Sequence, residues 1–145
     1  QSNKTRLAAE RFDWVHSVDR VKVAERLSAQ RPAGTAPLQV CLQVNISGEA
    51  SKSGLAPSEV AAAADVVARL PGLRLRGLMA IPRPEAGCEA QRRPHRALRE
   101  LLEDLRAHGH AQLDTLSMGM SDDLEAAIAE GATIVRVGTA IFGRR

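Results

Sequence analysis

The chain has 145 residues, 44% hydrophobic and 26% charged, with 20 Lys and Arg against 17 Asp and Glu for a net charge of +3. That length suits one domain with its own core, while no run approaches the ~18 apolar residues of a membrane span and no signal-peptide pattern opens the chain. A net +3 is too small to imply nucleic acid, and Phe12, Trp14 and Phe142, the only aromatics, offer no base-stacking platform.

Phe12 to Val18 is a short apolar-rich run, predicted as a strand. Asp19 to Gln30 carries Val21, Val23, Ala24 and Leu27 at helical spacing, with Asp19 as N-cap. Arg31 to Pro37 is a Pro- and Gly-bearing loop. Leu38 to Asn45 is a second strand, and Ile46 to Ala56 a Ser/Gly-rich loop. Pro57 opens a helix that includes the alanine run Ala61 to Ala64 and ends at Pro71-Gly72. Leu73 to Ile81 is a third strand. A helix from about Glu89 to His108 buries Leu98, Leu101, Leu102 and Leu105, with Pro94 marking a possible later start. Gln112 to Ser117 is a fourth strand and Asp122 to Glu130 a short helix with acids in its first turn. Ala132 to Val137 is a fifth strand, followed by Gly138-Thr139 and a short last segment.

This alternation predicts an α/β fold of the parallel (β/α)8 barrel type, here an incomplete barrel of about five βα units. Two open sheet edges and an apolar interior are expected, and with them association. Gln1 in place of Met marks a processed chain or a fragment. Cys41 and Cys88, with no CxxC, read as reduced thiols of a cytosolic protein.

In such folds ligands sit at the carboxyl ends of the strands. Ser117-Met118-Gly119-Met120-Ser121 and Gly138-Thr139 each join a strand to the next segment. Small residues, hydroxyls and helix starts suit an anion, so Ser117, Gly138 and Thr139 are candidate phosphate ligands. Turn residues and helix caps are the alternative. Arg136 interrupts the apolar run Thr133 to Val137, and a charge there is paired or functional, or else faces solvent from an edge strand. His108 and His110 read as a solvated helix end, and His16, Ser17 and Asp19 as a triad in name only. Asp122, Asp123 and Glu125 read as helix-start charges. Arg74, Arg76, Arg83, Arg92, Arg93, Arg96 and Arg99 read mostly as a solvated basic face, and Lys52 as an exposed loop lysine. No catalytic residue and no metal ligand is assigned.

Six segments occur in order: Gln1-Ser2-Asn3-Lys4, Val44-Asn45-Ile46-Ser47, Ser51-Lys52-Ser53-Gly54, Arg76-Gly77-Leu78-Met79-Ala80-Ile81-Pro82, Ser117 to Asp123, and Arg136-Val137-Gly138-Thr139-Ala140-Ile141-Phe142-Gly143. Together they closely resemble the pyridoxal phosphate homeostasis protein family (YggS/PROSC) across essentially the whole chain. The resemblance implies a barrel like the N-terminal domain of alanine racemase, with the chain supplying the carboxyl-terminal part of that single domain. It implies pyridoxal 5′-phosphate (PLP), held as a Schiff base on a lysine of a segment upstream of Gln1, since Lys4, Lys22 and Lys52 do not match that lysine's motif. It further implies buffering or delivery of PLP, with PLP-dependent apo-enzymes as recipients, no established turnover, and a parent that is a monomer or weak oligomer in the cytoplasm. Carried over by motif, Ser117, Gly138 and Thr139 hold the phosphate, Arg136 lies near the pyridine nitrogen, and Asn45 and Met79 line the pocket.

The alternative is a PLP-dependent racemase or another phosphate-binding barrel enzyme. The absence of Tyr speaks against a racemase, which resemblance would supply with a tyrosine base. Ser17, Asn45 and Ser117 are poor acid/base groups at strand ends. A plain interaction module is a third possibility, weakened by the hydroxyl-rich turns and by Arg136.

Overall fold

The computed structural model describes residues 1–49 and 51–143. After a 3-10 turn at Ser2–Lys4 come α1 (Thr5–Arg11), β1 (Trp14–Val18), α2 (Val21–Gln30) and β2 (Leu38–Gln43). A 3-10 turn at Pro57–Glu59 leads into α3 (Val60–Val67), then β3 (Leu73–Met79), α4 (Cys88–Ala107), β4 (Thr115–Ser117), α5 (Leu124–Ala129) and α6 (Thr139–Phe142). The strands pair in parallel in the order β1-β2-β3-β4. Each strand lies beside its predecessor, as serial βα units require.

One face of the sheet makes the core. Val18, Val40, Leu42, Leu75, Leu78 and Leu116 pack there against Val23 and Leu27 of α2, Val60 and Val67 of α3, and Leu98, Leu102 and Leu105 of α4. Strand residues alternate faces apart from register shifts in β1 and between β2 and β3, and the other face carries Trp14, His16, Gln39, Cys41, Arg76, Met79 and Ser117. This face mixes polar groups with apolar ones. Arg76 lies 4.9 Å over the Trp14 ring, donates to Gln39 Oε1, and bonds the Asp114 carboxylate through Nε and Nη2. At Gly77 the β3 and β4 backbones come so close that a Cβ would stand 1.9 Å from the Thr115 carbonyl oxygen.

Other expectations are corrected. Residues 132–137 form no regular fifth strand; only an isolated bridge joins Ser117 and Ile134. The Thr133 hydroxyl accepts the Leu116 N–H that a ladder carbonyl would otherwise accept, while Ile134 N–H to the Leu116 carbonyl, Met118 N–H to the Ile134 carbonyl and Arg136 N–H to the Gly119 carbonyl keep the segment beside β4. Helix α1 is absent from the sequence reading, because only Thr5 and Ala9 are buried on it and no apolar period reveals it. Arg20, not Asp19, occupies the N-cap of α2, without a side-chain bond. Helix α4 starts at Cys88 and runs through Pro94; the proline removes one donor, and the buried leucine stripe carries the helix past it. Among the described residues no helix is long and apolar enough to cross a membrane.

Of the arginines expected on a solvated face, Arg74, Arg83 and Arg93 are exposed, whereas Arg76, Arg92, Arg96 and Arg99 are partly buried and paired. Arg92 Nε and Arg96 Nη2 reach Glu130 Oε1 at 2.7 and 3.1 Å, and Arg99 Nη2 reaches Oε2 at 3.4 Å. Three cations of α4 thus enclose a carboxylate that is 3% exposed and tie α4 to the end of α5. His110 is buried too, against Asp65 of α3 at 2.8 Å, whereas His108 stays exposed beside Asp104.

Candidate functional site

His16 of β1, Ser117 at the end of β4 and Arg136 of the segment after α5 come together beside the Ala80 carbonyl, just past β3. Arg136 Nη1 donates to Ser117 Oγ at 2.7 Å, and Nη2 to the Ala80 carbonyl at 2.9 Å. His16 Nδ1 lies 2.8 Å from the same Ser117 oxygen. A hydroxyl accepts twice and donates once, so Ser117 bridges Arg136 and His16 with either ring tautomer. Burial, and then the Arg136 charge, lower the His16 pKa from its ordinary value, which favours the neutral ring.

Arg136 is half-buried, and desolvation lowers its pKa. Among the described residues it makes no ion pair; its hydrogen-bond partners are a hydroxyl and a carbonyl. The charge of Asp123 acts on its pKa in the opposite sense, without a contact. Cys41 lies fully buried on the same face as His16 and Ser117, its thiol pushed up to about 12 chiefly by burial.

Ser117, expected at a phosphate with Gly138 and Thr139, has two side-chain partners in the fold. Its hydroxyl is fully buried and engaged by Arg136 and His16. Ser121, four residues on, meets the other segment instead: its Oγ accepts the Ala140 N–H at 3.4 Å. Met120, Ser121, Asp123 and Thr139 line one cavity of about 320 Å³ with Lys52 and Arg83. Gly138 precedes α6 in an extended-φ conformation, with open space around its Cα. Asn45 spends its side chain on its own loop, donating to the Glu49 carbonyl and accepting the Glu49 N–H. Met79 is buried at the end of β3. Lys4, Lys22 and Lys52 are all exposed.

Sequence reasoning missed His16 and Ser121. Ser121 lies within a segment already singled out and was passed over for Ser117. His16 carries no local signal, since its partner is 101 residues away.

A parallel sheet curled until side chains of its two edge strands share a hydrogen bond places the chain in the α/β-barrel class. The chain belongs to the alanine racemase N-terminal domain family, whose model matches residues 1–145. It is 68% identical over 145 residues to the pyridoxal phosphate homeostasis protein of Pseudomonas aeruginosa and 54% identical to that of Escherichia coli, covering all of this chain and 61% and 62% of those proteins. The chain therefore spans about three fifths of the length of these curated relatives. PipY of Synechococcus elongatus superposes with a TM-score of 0.89 without PLP, at 39% identity over 99% of this chain and 67% of that one. The form with PLP bound gives 0.86 at 36% identity, covering 99% of this chain and 66% of that one. An alanine racemase of Clostridium difficile, at 11% identity and a TM-score of 0.78 over all of this chain and 38% of that one, shares the fold.

Proposed function

We propose that this chain carries the anion-holding part of a PLP site, within one barrel domain of a cytoplasmic protein that buffers PLP and passes it to PLP-dependent apo-enzymes without turning over a substrate of its own. One observation carries this reading: the Arg136 guanidinium is half-buried at the strand ends and touches no carboxylate among the described residues. The names of the relatives and the PLP bound in the PipY structure support the choice of anion.

The residues fit the group. Ser121 and Thr139 supply hydroxyls to one cavity, and Gly138 leaves the neighbouring backbone uncovered; these would hold the phosphate. Arg136 would face the pyridine ring, and Ser117 would hold Arg136 in place. When bound, PLP supplies an aldehyde that captures amines and a ring that withdraws electrons. A cation beside the ring nitrogen disfavours its protonation and so weakens that withdrawal, which suits storage more than turnover. His16 holds the serine hydroxyl, and the serine oxygen holds the guanidinium.

The competing reading, a PLP-dependent racemase-like enzyme, draws on the shared alanine racemase fold and would use His16 as acid or base. Equilibrium dialysis of the chain against PLP, pyridoxal and inorganic phosphate tests the proposal. Tighter retention of PLP than of pyridoxal, lost in Arg136→Gln, is expected; equal retention of both overturns it. Racemisation of alanine by the full-length parent would favour the enzyme.

A further inference from the structure

The turn that presents Ser121 is held from outside the barrel mouth. Its Asp123 carboxylate accepts the Met120 N–H at 2.6 Å through Oδ1. The other oxygen, Oδ2, lies 2.8 Å from Nε2 of His95 on α4. One helical turn earlier on α4, Gln91 Nε2 donates to the Asp122 carbonyl at 3.3 Å and to the Glu85 carbonyl at 3.1 Å. Gly119, at φ +90, packs so tightly that a Cβ would stand 2.4 Å from that of Ala127. The turn is thus clamped between α4 and α5.

His95 is fully buried, and its Nδ1 has no hydrogen-bond partner. A carboxylate oxygen accepts, so Nε2 carries the hydrogen and donates to Asp123. Leucine would fill the same apolar surroundings, so packing alone does not call for an imidazole here. What the imidazole adds is one donor, aimed at the carboxylate that closes the turn.

We propose that His95 is a positioning residue for the phosphate-holding turn: through Asp123 it fixes the Met120–Ser121 backbone so that the Ser121 hydroxyl faces the ligand. This rests on the reading that Ser121 and Thr139 take the phosphate of PLP. His95 touches no ligand; it acts through Asp123, and Gln91 supports the same turn one residue earlier.

The test combines amide hydrogen exchange with PLP and pyridoxal binding in His95→Leu and His95→Gln. In His95→Leu the Met120 amide should exchange about tenfold faster, as expected for loss of one charge-assisted hydrogen bond, while the amides of β2 and β3 keep their protection. PLP affinity should fall by a similar factor and pyridoxal affinity by much less. His95→Gln, which keeps a donor, should restore most of both. An unchanged Met120 amide together with an unchanged PLP-to-pyridoxal ratio in His95→Leu overturns the proposal, as does equal loosening of every strand, which would make His95 a plain core residue. Should His95→Leu not fold, Asp123→Ala removes the carboxylate that joins Met120 to His95 and must show the same pattern. If the unaltered chain fails to distinguish PLP from pyridoxal, the phosphate reading fails, and the Met120 amide alone then decides the brace.

Discussion

His16 and Ser117 belong to the two edge strands of the sheet, yet their side chains meet at 2.8 Å. Strands in a flat sheet stand about 4.8 Å apart, so three spacings would separate these edges by roughly 14 Å. The contact therefore measures the curl of the sheet, and it closes this face over Cys41. The same Ser117 oxygen accepts from Arg136 Nη1 at 2.7 Å, so one serine joins the two edges and holds the guanidinium.

Replacing Arg136 by Gln removes the cation and keeps an amide. PLP affinity should fall at least about tenfold, the range for a lost charge-assisted hydrogen bond, with little change in the melting temperature. Fluorescence or dialysis titration checks this, and an unchanged affinity takes Arg136 out of the site.

Ser121→Ala combined with Thr139→Ala should weaken PLP more than pyridoxal, because only PLP has a phosphate. Ser117→Ala should weaken both, since it frees the guanidinium without removing a phosphate donor. Parallel titrations with the two ligands separate these roles. If Ser117→Ala reproduced the phosphate-selective loss, the motif-based grouping of Ser117 with Gly138 and Thr139 would be right after all.

The His16 pKa is lowered in the folded protein, by burial first and by Arg136 second. A His that resists protonation when folded binds more protons when unfolded, so stability should fall as pH drops below about 6.5 and on through the lowered folded value. Denaturant melts of His16→Asn should show a flatter pH dependence across that window than the unaltered chain does.

Glu130→Gln should lower the melting temperature by several degrees. It leaves three guanidinium groups facing one another with a weaker acceptor between them. The effect is moderated because those arginines are partly exposed. Burial alone would raise the Glu130 pKa, but the bonds from Arg92 and Arg96 outweigh it and hold the carboxyl below its ordinary value. The clamp is accordingly in place above the normal carboxylate range and is lost as pH falls through the lowered value, a loss that Glu130→Gln should abolish.

Gly77→Ala should yield no folded protein. A Cβ 1.9 Å from the Thr115 carbonyl oxygen cannot be relieved by a rotamer change, because the obstacle is the backbone of the paired strand. The cost exceeds the ~1–3 kcal/mol of ordinary overpacking, against a domain stability of about 5–15 kcal/mol. A cooperative melt of this variant would contradict the assigned β3–β4 register.

The repeating strands and helices were legible because each buries one face at its own period. Leu38, Val40 and Leu42 alternate, and Leu98, Leu102 and Leu105 recur at helical spacing. Helix α1 and the bridging segment 132–137 were not read correctly, since one buries only Thr5 and Ala9 and in the other a threonine hydroxyl replaces a ladder carbonyl. Arg136 announced itself as a charge in an apolar run. Its partners did not: Ser117 is 19 residues away, and the His16 that holds Ser117 is a further 101. Likewise the arginines of α4 read as a solvent face, because Glu130 lies more than thirty residues beyond them.

Cys41 lies inside the curled sheet with its thiol pushed up to about 12, while Cys88 is exposed at the start of α4. The reactive form of a cysteine is the thiolate. An alkylating reagent should therefore mark Cys88 promptly and reach Cys41 only when the sheet uncurls. The molecule carries an internal stopwatch: the lag between the first and second label times the breathing of the barrel wall, and a ligand that steadies Arg136 should lengthen it.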